Sequence, residues 1–208
     1  MNTEVLSASN PNALRYAVDV LRYGGLVAFP TDTVYGVGAL AFHREAVLRL
    51  YTVKGRSTDK AIAVLVGRPA DLGVVAAELS PAAQRLMARF WPGPLTLVVA
   101  KNPALPEPIS PLPTVGVRMP DHDLARRLLE LTGPMAVTSA NRSGELSALT
   151  ATGALEQLSG RIELILDGGR VPGGVPSTVV DCTAPAPVVL REGPVSAAEI
   201  EATLTLPV

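Results

Sequence analysis

Short, mostly apolar runs alternate with amphipathic stretches along nearly the whole chain, and this alternation constrains the fold more than any other feature. Leu26 to Phe29, Ala61 to Val66, Leu95 to Ala100, Val115 to Met119, Met135 to Thr138, Ile162 to Leu166, Thr178 to Cys182 and Val188 to Leu190 have the length and composition of buried strands. Between them lie helical patterns. Asn10-Pro11 opens one, with proline at the first helical position and Leu14, Ala17, Val18 and Leu21 on one face. Residues 44–52, Ser80-Pro81 to about Phe90, Asp121 to Leu131 and Ala151 to Leu158 follow, and Ser196 with Glu199 forms a capping box for a last helix. Some strands are joined by helices and others by short links. That mixture predicts an α/β fold with a twisted mixed sheet of about seven strands flanked by helices. With no repeat and no linker, the 208 residues make one domain, residues 1–208.

Composition narrows the function. The net charge is −1, which excludes a basic coat for non-specific nucleic-acid binding and an acidic disordered tail. Cys182 stands alone, so no disulfide framework exists. The N-terminus lacks a signal-peptide pattern and no apolar run spans a bilayer, so a cytoplasmic protein without a membrane role is expected. The cations are skewed: 15 are arginine and 3 are lysine. Each lysine therefore raises the question of why it is not arginine.

Some apparent motifs fail on context. Gly36-Val37-Gly38-Ala39-Leu40-Ala41 fits a permissive dinucleotide pattern, but its glycines come six residues after the strand-ending Pro30. Ser57 and Lys60 fit S-x-x-K without the K-T-G that penicillin-binding chemistry needs. Two histidines, His43 and His122, and one cysteine support neither a zinc site nor a Cys-His nucleophile.

Other segments carry more. Phe29 to Gly36 places hydroxyls, a carboxylate and a phenol just after a strand, where α/β sheets bind ligands; an Asx-type turn would use the same residues. Lys54-Gly55-Arg56 through Lys60 concentrates three cations in seven residues, suited to a triphosphate or to a solvated loop. Thr138 to Asn141 offers hydroxyl, amide and backbone donors to an anion or a purine edge, or forms a simple turn. Gly168-Gly169 and Gly173-Gly174 permit close backbone approach to a ligand. Arg118 and Arg191 sit in or at the end of strands, where a guanidinium is costly unless an anion pairs it. The loop between residues 102 and 114 holds five prolines and is long enough to expect a function.

Together these segments resemble the YrdC/Sua5 family of threonylcarbamoyl-AMP synthases. Phe29 to Gly36 is similar to its P-T-D-T-x-Y-G segment, Lys54-Gly55-Arg56 to K-x-R, and Trp91 to Thr96 to W-P-G-P-L-T. Val115 to Pro120 resembles V-G-V-R-x-P, Thr138 to Gly144 resembles T-S-A-N-x-S-G, Ser177 to Asp181 resembles S-T-V-V-D, and Arg191-Glu192-Gly193 resembles R-x-G. The motifs run in family order from about residue 10 to 200.

The resemblance implies a YrdC-like domain with a concave ligand groove, of the short bacterial type without the extra C-terminal Sua5 domain. It implies condensation of L-threonine, bicarbonate and ATP into threonylcarbamoyl-AMP and pyrophosphate. That is the first step of tRNA t6A37 modification, with the product passed to a separate transferase complex. Threonine would be bound by Thr33, Tyr35, Arg118, Thr138 and Ser177. ATP would be held by Lys54, Arg56, Lys60, Thr114, Ser139, Ala140, Asn141, Ser143 and Arg191, with Lys54 and Arg56 catalytic. Asp32 would order its loop or assist the amine. Mg2+ would arrive with ATP, without a protein ligand set of its own. Ser57 and Ala61 stand where the family commonly has proline, and the strand from Ala61 to Val66 lacks the histidine of archaeal and eukaryal relatives. The alternative is a YciO-like paralogue that acts as an RNA-binding or ribosome-maturation module.

Overall fold

The computed structural model describes residues 2–205. In chain order the elements are β1 (Glu4–Ser7), α1 (Ala13–Arg22), β2 (Val27–Phe29), β3 (Gly36–Leu40), α2 (Arg44–Lys54), β4 (Ala63–Leu65), β5 (Ala76–Glu78), α3 (Pro81–Phe90) and β6 (Leu95–Lys101). After them come β7 (Thr114–Arg118), α4 (Asp123–Thr132), β8 (Met135–Ser139), α5 (Ala151–Leu158), β9 (Leu164–Asp167), β10 (Thr178–Asp181), β11 (Val188–Arg191) and α6 (Ala197–Thr205). The six helices fall where the apolar periodicity and the Ser196–Glu199 capping box place them, but α1 begins at Ala13 with Asn12 as its N-cap, so Pro11 precedes the helix instead of taking its first position.

The strands form one mixed sheet in the order β1-β9-β2-β3-β8-β4-β7-β6-β10-β11, with β5 paired to β6 off that path. β4 runs parallel to β7 and β10 parallel to β6, whereas β3 is antiparallel to both β2 and β8. The sheet has 11 strands rather than about seven. β1 and β5 are three or four residues long, with mostly exposed side chains and no apolar signature. β3 escapes detection because its two glycines mimic a loop. They are required by packing: a Cβ on Gly36 would lie 2.7 Å from Val137 Cγ1, and one on Gly38 2.9 Å from Val137 Cγ2. The G-x-G pattern is thus part of a strand packed closely on Val137, not a dinucleotide loop.

Two apolar cores flank the sheet. Helices α2, α3, α5 and α6 cover one face, where Leu50, Leu86, Leu97, Val117 and Ile165 are fully buried. On the opposite face α1 and α4 bury Leu21, Leu128 and Leu129 against Phe29, Met135 and Leu164. That second layer covers the β1-β9-β2-β3-β8 side and reaches Leu65 on β4. On β6, β7 and β10 the same face carries Thr96, Val98, Gly116, Arg118 and Val179, which line a cavity instead. Side chains two apart on a strand share a face, so the sheet itself fixes this set. No helix among the described residues is long and apolar enough to cross a membrane.

Candidate functional site

The cavity has a volume of about 330 Å3 and is floored by one face of β6, β7, β8 and β10. Arg118 is its chemical centre. It ends β7, is 5% exposed, and engages each of its three guanidinium nitrogens: Nε donates to Gly93 O at 3.0 Å, Nη1 to Thr33 Oγ1 at 3.0 Å, and Nη2 to Asp32 Oδ1. Burial lowers its pKa, Asp32 opposes that shift in part, and Arg191 adds to it, leaving the pKa below its ordinary value. A buried guanidinium needs a paired anion, and the chain supplies one in Asp32. The second Asp32 oxygen, Oδ2, is buried without a partner.

The hydroxyls around Arg118 have fixed roles. Thr31 Oγ1 donates to Val34 O at 2.7 Å, so the 3.0 Å contact between the two threonine hydroxyls has Thr33 as donor. Thr33 then accepts from Arg118. Across the cavity, Ser177 Oγ lies 2.8 Å from Thr96 Oγ1 and 3.3 Å from Arg191 Nη2. Arg191 also donates from Nε and Nη2 to Ser177 O, at 3.1 and 2.7 Å. Arg56 approaches from a third side, its Nη2 donating to Ala61 O at 2.9 Å. Three guanidinium groups thus surround a hydroxyl-lined, partly apolar space, an arrangement suited to anionic oxygens.

The comparisons with known proteins agree with this geometry. The Sua5/YciO/YrdC family model, described as telomere recombination, matches residues 19–193. The chain belongs to this family. A Pyrococcus abyssi relative named threonylcarbamoyl-AMP synthase is 46% identical over 190 residues, covering 90% of this chain and 56% of the relative. A Bacillus subtilis relative of the same name is 41% identical, covering 97% of this chain and 59% of its own length. The chain thus spans a little over half the length of these two relatives. A Mycobacterium leprae relative, named putative threonylcarbamoyl-AMP synthase, is 42% identical over 206 residues, covering 97% and 94%. Among solved structures, P. abyssi Sua5 complexed with L-threonine superposes with a TM-score of 0.93 at 42% identity, covering 99% of this chain and 61% of the other. Escherichia coli YciO superposes with 0.83 at 27% identity, covering 93% and 97%.

Within the family motifs the structure sorts residues into two groups. Thr33, Arg56, Arg118, Thr138, Ser139, Ser177 and Arg191 lie on the cavity wall. Tyr35, Lys54, Lys60, Thr114, Ala140, Asn141 and Ser143 do not. Tyr35 is fully buried: its hydroxyl donates to Gly169 O at 2.7 Å, accepts from Gly168 N at 3.3 Å, and is pushed up to about 12 by burial. Its role is to hold the 168–169 turn. Tyr35→Phe is expected to cost about 1–2 kcal/mol of stability, checked by urea denaturation. Lys54 and Asn141 are buried and bound to each other rather than to the cavity. Ala140 is buried with its N–H on Tyr35 O, and Ser143 donates its N–H to Lys54 O. Lys60 is exposed, and Thr114 sits at the far end of β7 opposite Ala100.

Two loops also differ from expectation. A Cβ on Gly173 would lie 2.1 Å from Thr33 O, so that glycine serves close approach to the chain's own Thr33, not to a ligand. No residue of the five-proline loop reaches the cavity. Tyr51 donates to Pro108 O at 2.7 Å, Lys101 to Ser110 O at 2.7 Å, and Ile109 is fully buried, so the loop is tied to the body of the domain. The segment after Lys54 carries Ser57 and Ala61 and no proline. It is held by Arg56, whose Nη2 donates to Ala61 O at 2.9 Å.

Sequence reasoning leaves Thr31, Thr96 and Val98 without a role, yet they line the cavity. The signal for Thr96 and Val98 is their alternation on β6 opposite the Arg118 strand.

Proposed function

We propose that this chain is a threonylcarbamoyl-AMP synthase, a nucleotidyltransferase that joins L-threonine, bicarbonate and ATP. The carrying observation is the convergence of Arg118, Arg191 and Arg56 on one hydroxyl-lined cavity. Every substrate of this reaction is an anion or carries an anionic group, and bringing them together is the principal barrier. Fixed cations lower it through positioning and electrostatic preorganisation. The curated names of the relatives and the threonine complex of a superposable structure support the same reading.

In this reading Arg118 takes threonine's carboxylate, with Thr33, Thr138 and Ser177 as hydroxyl partners. Arg56 and Arg191 face the phosphates. Threonine's amine attacks carbon dioxide released from bicarbonate to give a carbamate. A carbamate oxygen then attacks the α-phosphorus, pyrophosphate leaves, and water is the remaining product. Among the described residues no cluster of three or more His, Cys, Asp or Glu side chains could hold a metal. In this reading magnesium enters with the triphosphate as part of the substrate. A cytoplasmic setting and delivery of the product toward tRNA t6A modification follow from the same reading.

The test is pyrophosphate release from ATP and magnesium. Release that requires threonine and bicarbonate together supports the synthase. Release that ignores threonine removes it. A YciO-like RNA-binding role predicts instead a salt-sensitive tRNA affinity without threonine-dependent turnover.

A further inference from the structure

Lys54 is one of only three lysines, and its environment explains why it is not arginine. It is the last residue of α2, and Gly55, at φ +60°, ends the helix in the left-handed region directly after it. The side chain turns inward and is 3% exposed. Its ammonium has three N–H donors and meets three oxygens: Ser139 O, Asn141 O and, at 3.4 Å, Asn141 Oδ1. No carboxylate among the described residues forms an ion pair with it. The main chain repeats the link, since Lys54 O accepts from Ser143 N at 2.8 Å. Asn141 Nδ2 closes the turn onto Arg142 O and Glu145 O, at 2.9 and 2.7 Å.

We propose that Lys54 is a positioning residue, the internal cation around which the turn from Ser139 to Ser143 folds, and that it acts on the bound nucleotide through that turn and not by touching phosphate. The proposal rests on reading the cavity as a nucleotide site. A tetrahedral ammonium reaches three oxygens converging on one point, whereas a planar guanidinium does not. Holding the two carbonyls inward fixes the Ser139 side chain on the cavity wall, where it is found. Burial first, and the Arg56 cation second, pull the Lys54 pKa down to about 7.

The scarcity of lysine makes the test simple. The wild-type protein is acetylated with an amine-directed reagent, with and without ATP and magnesium, and the peptides are read by mass spectrometry. Lys60 is expected to react, with Lys54 at least ten-fold slower in both states. Comparable reaction of Lys54 in the free protein, slowed by ATP, would overturn the proposal. Lys54→Met and Lys54→Arg are then compared with Arg56→Met. Positioning predicts that amide exchange across residues 139–143 rises at least ten-fold in both Lys54 variants. It also predicts that the affinities for ATP and threonine, measured by calorimetry, fall together. Unchanged exchange with a loss confined to ATP affinity would mean direct phosphate contact. If the wild type binds no ATP, the nucleotide reading fails, and the labelling and exchange results still decide the place of Lys54 in the turn.

Discussion

Replacing Asp32 by alanine is expected to lower the unfolding free energy by about 3–5 kcal/mol, a large share of the stability of a domain this size. The substitution leaves the Arg118 guanidinium, 7% exposed at its side chain, without the one carboxylate that pairs with it among the described residues. The penalty comes from an uncompensated buried charge, not from the net worth of the pair. The double variant Asp32→Ala with Arg118→Met should therefore be more stable than Asp32→Ala alone, because it removes both charges. Urea denaturation of the three proteins checks this. A double variant at least as unstable as Asp32→Ala would show that Arg118 is compensated elsewhere.

Arg118→Met has the largest expected effect on activity, a loss of about 10²- to 10³-fold in kcat/KM for threonine. In the proposed reading a substrate carboxylate would share the guanidinium with Asp32, its internal partner already in place. Arg118→Lys should not restore activity. A lysine cannot bond Gly93 O, Thr33 Oγ1 and Asp32 Oδ1 in one plane as the guanidinium does. Recovery of more than a tenth of wild-type kcat/KM in Arg118→Lys would show that charge alone suffices there.

The fold class was legible because buried strands and amphipathic helices carry different periods, and six helices and eight strands stand where those periods place them. β3 was hidden because close packing on Val137 demands glycine, a residue that otherwise marks loops. In the site, residue chemistry was legible but direction was not. Tyr35 and Arg118 both follow from motif and position, yet one side chain points into the core and the other to the cavity. Local sequence does not distinguish these, since direction depends on which sheet face a helix covers. Lys54 makes the same point. Three cations in seven residues suggest one phosphate-facing cluster. The left-handed Gly55 turns the chain so that Arg56 lines the cavity while Lys54 is sealed behind it.

The most direct measurement of the central claim is mass spectrometry of the products formed from L-threonine, 13C-bicarbonate, ATP and magnesium. The account predicts a threonylcarbamoyl-AMP species one mass unit heavier than the unlabelled product, with equimolar pyrophosphate, and its disappearance in Arg118→Met. ATP turnover that yields no 13C-labelled adenylate, or the same product in undiminished amount from Arg118→Met, would contradict it.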